Sequence, residues 1–166
     1  YMNLALYAPG LGYYSSGATK LGSAGDFVTA PEISPLFGRT LAQQLMQILR
    51  HLAPADILEF GAGSGKLARD ILLELEKSAA LPGKYYILEV SPDLRQRQQT
   101  LLADEAPHLL ARVEWLERLP ELFTGVMLAN EVLDAMPVHI IRWRDDAVLE
   151  RGVTWQNDRF TWQDRA

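Results

Sequence analysis

Apolar residues recur in two segments of the chain with the spacing of amphipathic helices. After Ser34 and Pro35, a pair that favours a helix start, apolar side chains stand at i, i+4, i+7, i+8 and i+11, and the pattern stops near Pro54. This spacing predicts a helix with one apolar face. A second such face consists of Leu67, Ile71, Leu72 and Leu75.

Short apolar runs between the helical segments predict strands. Four of them, at 57–60, 85–90, 113–116 and 125–130, alternate with predicted helices. One of these helices is expected to start at Ser91 and to close before Pro107. A fifth run lies at 138–143, and shorter ones follow at 147–150, 153–156 and 160–163. Strands separated by helices are typical of a parallel sheet, so we expect an α/β fold.

The strand at 56–60 is predicted to lie at the centre of this sheet, between the strands at 85–90 and 126–130. We expect this order because ligands of α/β sheets bind in the crevice where the strand order reverses. The short strands after residue 144 are expected to form an antiparallel meander at the far edge of the sheet.

Composition and charge exclude several classes of function. The 166 residues include 16 basic and 21 acidic side chains, which give a formal charge of −5, and no cysteine. Without a run of Lys and Arg, the chain lacks the charge pattern of a nucleic-acid-binding protein. Disulfides and thiolate metal sites are excluded, and the scattered histidines predict no metal site. No stretch approaches the roughly 18 apolar residues of a membrane span.

Residues 1–33 are rich in glycine and tyrosine and show little periodicity. They predict a long loop region, and long ordered loops are often functional. We therefore expect two parts, an N-terminal loop region at 1–33 and the α/β domain at 34–166.

A glycine-rich segment runs from Glu59 to Lys66, between a predicted strand and a predicted helix. A phosphate-binding Walker loop is excluded, since Phe60 replaces its first glycine and Leu67 replaces its hydroxyl residue. A dinucleotide fingerprint fails at its third glycine, where Lys66 stands. The segment has an acidic residue, Glu59, followed by Gly-x-Gly-x-Gly, and a second acidic residue, Glu89, ends the next strand. This order resembles the S-adenosylmethionine-binding segment of Rossmann-like methyltransferases.

The chemistry of this cofactor accounts for the residue types. Gly61, Gly63 and Gly65 let the backbone turn sharply and approach a ligand without an intervening Cβ, with Ala62 between the first two. Glu89 is expected to accept hydrogen bonds from both ribose hydroxyls. The alternative is a tight turn with a solvated Glu89.

Two further blocks carry a family resemblance. Residues 25–38 read Gly-Asp-Phe-Val-Thr-Ala-Pro-Glu-Ile-Ser-Pro-Leu-Phe-Gly, and residues 129–138 read Ala-Asn-Glu-Val-Leu-Asp-Ala-Met-Pro-Val. Together with a tyrosine-rich opening at 5–14, the glycine loop and the segment 89–92, these blocks resemble the MidA family of methyltransferases. The mitochondrial member of that family assists assembly of respiratory complex I.

The resemblance implies a Rossmann-like class I methyltransferase sheet with helices on both faces. It also implies methyl transfer from S-adenosylmethionine to a protein, with arginine as the acceptor in the mitochondrial member and a complex I subunit as one candidate substrate. The location would be the cytoplasm of a bacterium or the mitochondrial matrix of a eukaryote. Family members are longer than this chain, so we expect the C-terminal part of the family domain to be missing.

The resemblance also implies roles for individual residues. Glu131 and Asp134 are the candidate catalytic residues, because carboxylates there could orient the guanidinium of an arginine, which stays protonated in water. Asp26, Phe27 and Glu32 would form a lid over the methionine end of the cofactor; the alternative for this block is a glycine turn with a core phenylalanine. The candidate cofactor-binding residues are Asp26, Phe27, Glu32, Glu59, Gly61, Ala62, Gly63, Gly65, Glu89 and Asn130. Capping or solvation is the alternative role for the polar residues at 130–134.

Two other functions stay open at this point. The first is a binding or assembly module that keeps the cofactor fold and acts by protein contact. The second is a nicotinamide-dependent oxidoreductase, which Lys66 disfavours.

Overall fold

The computed structural model of the chain describes residues 1–16, 25–52 and 54–166. The chain forms two compact units, one from Tyr1–Ser16 with Leu133–Ala166 and the other from Gly17–Val132. The sequence-based division at residue 34, into an N-terminal loop region and an α/β domain, stays a prediction. Among the described residues, every helix is too short or too polar to cross a lipid bilayer.

A four-stranded parallel sheet organises the larger unit. Its strands are β1 (Asp56–Phe60), β2 (Tyr85–Leu88), β3 (Val113–Leu116) and β4 (Gly125–Ala129), in the order β3-β2-β1-β4. The predicted central strand and its two neighbours are confirmed, since β1 pairs with β2 on one side and with β4 on the other. The strand order reverses between β1 and β4, where α/β proteins bind ligands outside the carboxyl ends of their strands.

Helices precede and connect these strands. They are α2 (Ala30–Ile33), α3 (Pro35–Leu52), α4 (Lys66–Lys77) and α5 (Pro92–Glu105). The predicted start of α3 is confirmed, and the Ser34 hydroxyl there accepts a hydrogen bond of 3.2 Å from the Leu36 amide. A 3₁₀ turn at Pro107–Arg112 leads into β3.

The core of the larger unit lies between the sheet and the apolar faces of its helices. Ile57, Tyr85 and Ile87 of the sheet are fully buried. Of the predicted helix faces, Leu45 and Leu49 of α3 and Leu67, Ile71, Leu72 and Leu75 of α4 are buried in this core, together with Ala42 and Ala68. Ile48 and Leu52, which the spacing also assigns to the α3 face, are exposed. The helices α3 and α4 approach closely, because a Cβ at Gly38 would lie 2.6 Å from the Cβ of Asp70.

The smaller unit contains an antiparallel sheet of its own. Its strands are β5 (Ile140–Arg144), β6 (Ala147–Gln156) and β7 (Arg159–Arg165), in that order. Asn157 and Asp158 have φ angles of 51° and 55°, as expected for the tight turn of a two-residue hairpin. The helix α1 (Met2–Tyr7) belongs to the same unit, and the Tyr7 hydroxyl donates a hydrogen bond of 2.7 Å to the Ala135 carbonyl.

The structure differs from the sequence prediction in three places. The two strands predicted at 147–150 and 153–156 are one strand, β6, since its pairing with β7 continues through Gly152 and Gln163. The meander is antiparallel as predicted, but its strands form a three-stranded sheet of their own and are not part of the parallel sheet's strand order. The predicted loop region contains the short helices α1 and α2, which are too short to show a clear period.

Candidate functional site

The glycine loop joins the carboxyl end of β1 to α4. Gly61, Gly63 and Gly65 have φ angles of 57°, 56° and 87°, a backbone region that residues with a Cβ rarely adopt. Ala62 between them is 7% exposed and packs into the core. At Gly65 a Cβ would also lie 3.2 Å from the Cα of Gln98. The backbone conformation of the loop therefore favours glycine at these positions.

Glu59 lies inside the sheet just before this loop, with 2% of its surface exposed. The Tyr85 hydroxyl donates a hydrogen bond of 2.7 Å to its Oε2. Burial raises the pKa of Glu59 from 4.5 to about 7; the Tyr85 hydrogen bond opposes this rise and the charge of Glu89 adds to it. The carboxyl group of Glu59 is thus a buried group that changes charge near neutral pH.

Glu89 lies directly after β2 and is 8% exposed. Its Oε1 accepts a hydrogen bond of 2.9 Å from the Ser91 amide, and its Oε2 accepts one of 3.1 Å from the Gln98 side chain. Burial raises the pKa of Glu89, and these hydrogen bonds lower it in part. Both oxygens are therefore held by donors of the protein.

Gln98 of α5 is a residue that the sequence analysis missed. It is fully buried, and it contacts the glycine loop, Glu89 and β3 through three hydrogen bonds. Its neighbours Gln96 and Gln99 have the same polar character, so the sequence pattern does not distinguish Gln98 from them. Only its burial in the folded structure distinguishes Gln98 from these neighbours.

Glu32 of α2 contacts the glycine loop directly. Its carboxylate accepts a hydrogen bond from the Ser64 hydroxyl and pairs with the Lys66 ammonium at 2.6 Å. The Glu32 side chain is 5% exposed and that of Lys66 is 35% exposed. The structure thus joins the segment after the Gly-Asp-Phe block to the loop. It also neutralises Lys66, the one basic residue of the glycine-rich segment.

Asp26 and Phe27, the other predicted lid residues, lie just before α2. Both are exposed, and Phe27 exposes 52% of its surface. Their position over a cofactor stays a prediction.

The Asn-Glu block follows the carboxyl end of β4. Asn130 is half-buried, and Glu131 is exposed with a φ angle of 52°, an uncommon conformation for a residue other than glycine. A Cβ at Gly61 would lie 3.6 Å from Cγ2 of Val132, so this block and the glycine loop are neighbours. Backbone conformations of this kind are concentrated at functional sites.

Asp134 belongs to the smaller unit, at the 3₁₀ turn Leu133–Ala135. Burial and the charge of Asp134 raise the pKa of Tyr14. The ring of Tyr14 stacks on that of Tyr7, with a centroid distance of 5.4 Å. Asp134 therefore lies near a pair of stacked tyrosines.

The carboxyl ends of the four parallel strands thus present different groups at one edge of the sheet. β1 leads to the glycine loop, β2 to Glu89 and β4 to Asn130 and Glu131. β3 leads to an open cleft of about 490 Å³ that is lined by residues 115–121. Among the described residues, no group of three or more His, Cys, Asp or Glu could hold a metal ion.

These groups suit an uncharged nucleoside portion better than a phosphate. The glycine backbone permits close approach, and Glu89 offers acceptors to hydroxyl groups. Lys66, the residue that would hold a phosphate, is paired with Glu32 instead.

Residues 40–166 match a family described as "Putative S-adenosyl-L-methionine-dependent methyltransferase". The chain belongs to this family.

Several relatives are also named as methyltransferases. The chain is 34% identical to the protein arginine methyltransferase NDUFAF7 homolog, mitochondrial, of Drosophila melanogaster, over 87% of this chain and 38% of the relative. It is 33% identical to the corresponding Danio rerio protein, over 84% of this chain and 38% of the relative. The chain therefore spans well under half the length of these relatives.

A solved structure of a protein from Burkholderia thailandensis, described as a "likely methyl transferase", superposes with a TM-score of 0.89. The two sequences are 47% identical, and the match covers 99% of this chain and 44% of the Burkholderia chain. That structure contains bound S-adenosyl-homocysteine. The relatives and this structure confirm the MidA-family resemblance and the class I methyltransferase fold. The cofactor of the family is S-adenosylmethionine.

Proposed function

We propose that the protein is an S-adenosylmethionine-dependent methyltransferase that acts on an arginine side chain of another protein. The observation that carries this proposal is the convergence of the glycine loop, Glu89 and Glu131 at the carboxyl ends of adjacent parallel strands. When bound, S-adenosylmethionine supplies an electrophilic methyl group on a sulfonium sulfur.

The cofactor-binding residues of this proposal have separate tasks. The backbone of the glycine loop, with Ala62, lies against the cofactor, and Glu89 accepts hydrogen bonds from the ribose hydroxyls. Asp26, Phe27 and Glu32 form the lid, in which Glu32 also holds the loop through Ser64 and Lys66. Glu59 and Asn130 complete this group at the ends of β1 and β4.

Glu131 orients the acceptor in this proposal. An arginine guanidinium is planar and keeps its charge, and a carboxylate pairs with it in a fixed, bidentate geometry. Such pairing aims one nitrogen at the methyl group, and orientation of this kind supplies about 7 to 11 kcal/mol in well-ordered reactions. Asp134 is proposed as the second catalytic carboxylate; within its own unit it lies near Tyr14, which stacks on Tyr7.

The names of the relatives support an arginine acceptor, since they are called protein arginine methyltransferases and mitochondrial proteins. A respiratory complex I subunit is the proposed substrate. The proposed location is the mitochondrial matrix in a eukaryote and the cytoplasm in a bacterium.

Two measurements test the proposed function. Calorimetry should detect binding of S-adenosylmethionine and of S-adenosylhomocysteine, and no binding of NADH. The intact protein should then transfer labelled methyl groups from S-adenosylmethionine to arginine residues of proteins in a cell lysate. Binding without transfer would favour the assembly module, and thermal protection by NADH alone would favour an oxidoreductase.

A further inference from the structure

The side chain of Gln98 connects three parts of the sheet edge. Its Nε2 donates hydrogen bonds of 3.0 Å to the Gly63 carbonyl and of 3.1 Å to Oε2 of Glu89. Its Oε1 accepts a hydrogen bond of 3.0 Å from Nε1 of Trp115 in β3. The loop after β1, the end of β2 and β3 are thus joined through one amide group.

These partners allow only one orientation of the Gln98 amide. The indole N–H of Trp115 can only donate, so it must face the amide oxygen. The Gly63 carbonyl and the Glu89 carboxylate can only accept, so both must face the amide nitrogen. A rotated amide would lose all three hydrogen bonds. The donor and acceptor groups around Gln98 therefore determine the orientation of its amide.

This orientation has a consequence for Glu89. Ser91 donates to one carboxylate oxygen and Gln98 to the other, so the carboxylate plane is held at both ends. The carboxylate has about four lone-pair sites, and with the Val90 backbone amide as a third donor the protein does not occupy them all. The terminal torsion of a glutamate is otherwise broad and poorly defined.

We propose that Gln98 is a positioning residue that determines how Glu89 recognises the ribose hydroxyls of the cofactor. Gln98 holds the Glu89 carboxylate in one orientation and links it to the Gly63 backbone. The glycine loop and the carboxylate can then bind the same ligand. This inference rests on the proposed cofactor site. Gln98 itself contacts only protein groups in this arrangement.

The test compares two ligands, S-adenosylhomocysteine and its 2′-deoxyribose analogue, by calorimetry on the intact protein. The wild-type protein should prefer S-adenosylhomocysteine by about 10- to 100-fold, the effect of one hydrogen bond to a charged group. Gln98→Met should lose most of this preference, while its affinity for the deoxy analogue changes much less. The ratio of the two affinities does not depend on the fraction of the protein that is folded.

A merely structural role for Gln98 would lower both affinities by the same factor and leave the ratio unchanged, and that result would overturn the inference. A wild-type protein that binds neither ligand would overturn the proposed function, and the role of Gln98 with it. A wild-type protein that binds both ligands equally would show that Glu89 does not read the 2′-hydroxyl, which also overturns the inference.

A second variant covers the case in which Gln98→Met does not fold. Gln98→Glu keeps the side-chain shape and the acceptor for Trp115, but it places oxygen against the Gly63 carbonyl and the Glu89 carboxylate. It should also lose the preference for the ribose. The control is Gln96→Glu, the same change at an exposed position of α5, which should keep the wild-type preference. Retention of the preference in Gln98→Glu would overturn the inference.

Discussion

The Tyr85 hydroxyl donates a hydrogen bond of 2.7 Å to the carboxylate of Glu59 inside the parallel sheet. Burial raises the pKa of this carboxyl group from 4.5 to about 7 in spite of that bond. The folded protein therefore binds a proton at Glu59 more tightly than the unfolded chain does. The contribution of Glu59 to stability is therefore complete where both states are protonated, and it is lost as the pH rises from 4.5 to about 7.

The variant Glu59→Gln should remove this pH dependence, because glutamine does not titrate and its amide oxygen can still accept the Tyr85 hydrogen bond. We expect its free energy of unfolding to match that of the wild type below pH 4.5 and to exceed it by about 3 kcal/mol above pH 7. Urea denaturation across the pH range measures this difference. Glu114→Gln, an exposed change on β3, is the control with no such trend. Equal stability of Glu59→Gln and wild type at pH 8 would contradict the prediction.

Gly63→Val should abolish binding of S-adenosylhomocysteine. Gly63 has a φ angle of 56°, where a β-branched side chain is strongly disfavoured, and in the proposed cofactor site a side chain there would block close approach of the ligand to the loop. Calorimetry measures binding, and thermal melting reports the backbone strain. Gly10→Val is a matched control, since Gly10 has a φ angle of 71° with open space around its Cβ position. Unchanged affinity in Gly63→Val would exclude the loop as the cofactor site.

The Glu32 contacts should stabilise the glycine loop. Glu32→Gln loses the charge that pairs with Lys66, in a setting where the Glu32 side chain is only 5% exposed. We expect the free energy of unfolding to fall by about 1 to 3 kcal/mol and the affinity for S-adenosylmethionine to fall with it. The control is Glu105→Gln, because Glu105 pairs with Arg69 but its side chain is 48% exposed. This variant should lower the free energy of unfolding by less than about 1 kcal/mol. Equal losses in the two variants, measured by urea denaturation, would argue against a special role for Glu32.

Glu131→Gln should separate cofactor binding from methyl transfer. If Glu131 orients a guanidinium, transfer in the intact protein should fall by about 100-fold or more, while calorimetry finds the cofactor affinity nearly unchanged. Asp134→Asn should have a smaller effect in the same direction. Parallel losses of affinity and rate would instead place Glu131 in the cofactor site, and full activity would leave it a solvated carboxylate.

Much of this protein is determined by short-range sequence patterns. The start of α3 at Ser34-Pro35, the apolar face of α4 and the four parallel strands all follow from residues within one element and its caps. The glycine loop can also be predicted from the sequence, because the left-handed backbone at Gly61, Gly63 and Gly65 restricts which residues occur there. Such local requirements act within a few residues, so a sequence displays them directly.

Other features depend on which segments meet in space. Gln98 bonds to residues 35, 9 and 17 positions away, and Glu32 pairs with Lys66 across 34 positions. Likewise, β6 continues through Gly152 because β7 pairs with its residues from Glu150 to Gln156. Hydrogen bonds between distant residues require a particular strand register and helix placement, which no local period specifies. For that reason the sequence determined the family, the sheet and the loop, whereas only the tertiary structure decided which buried side chains hold Glu89 and the loop in place.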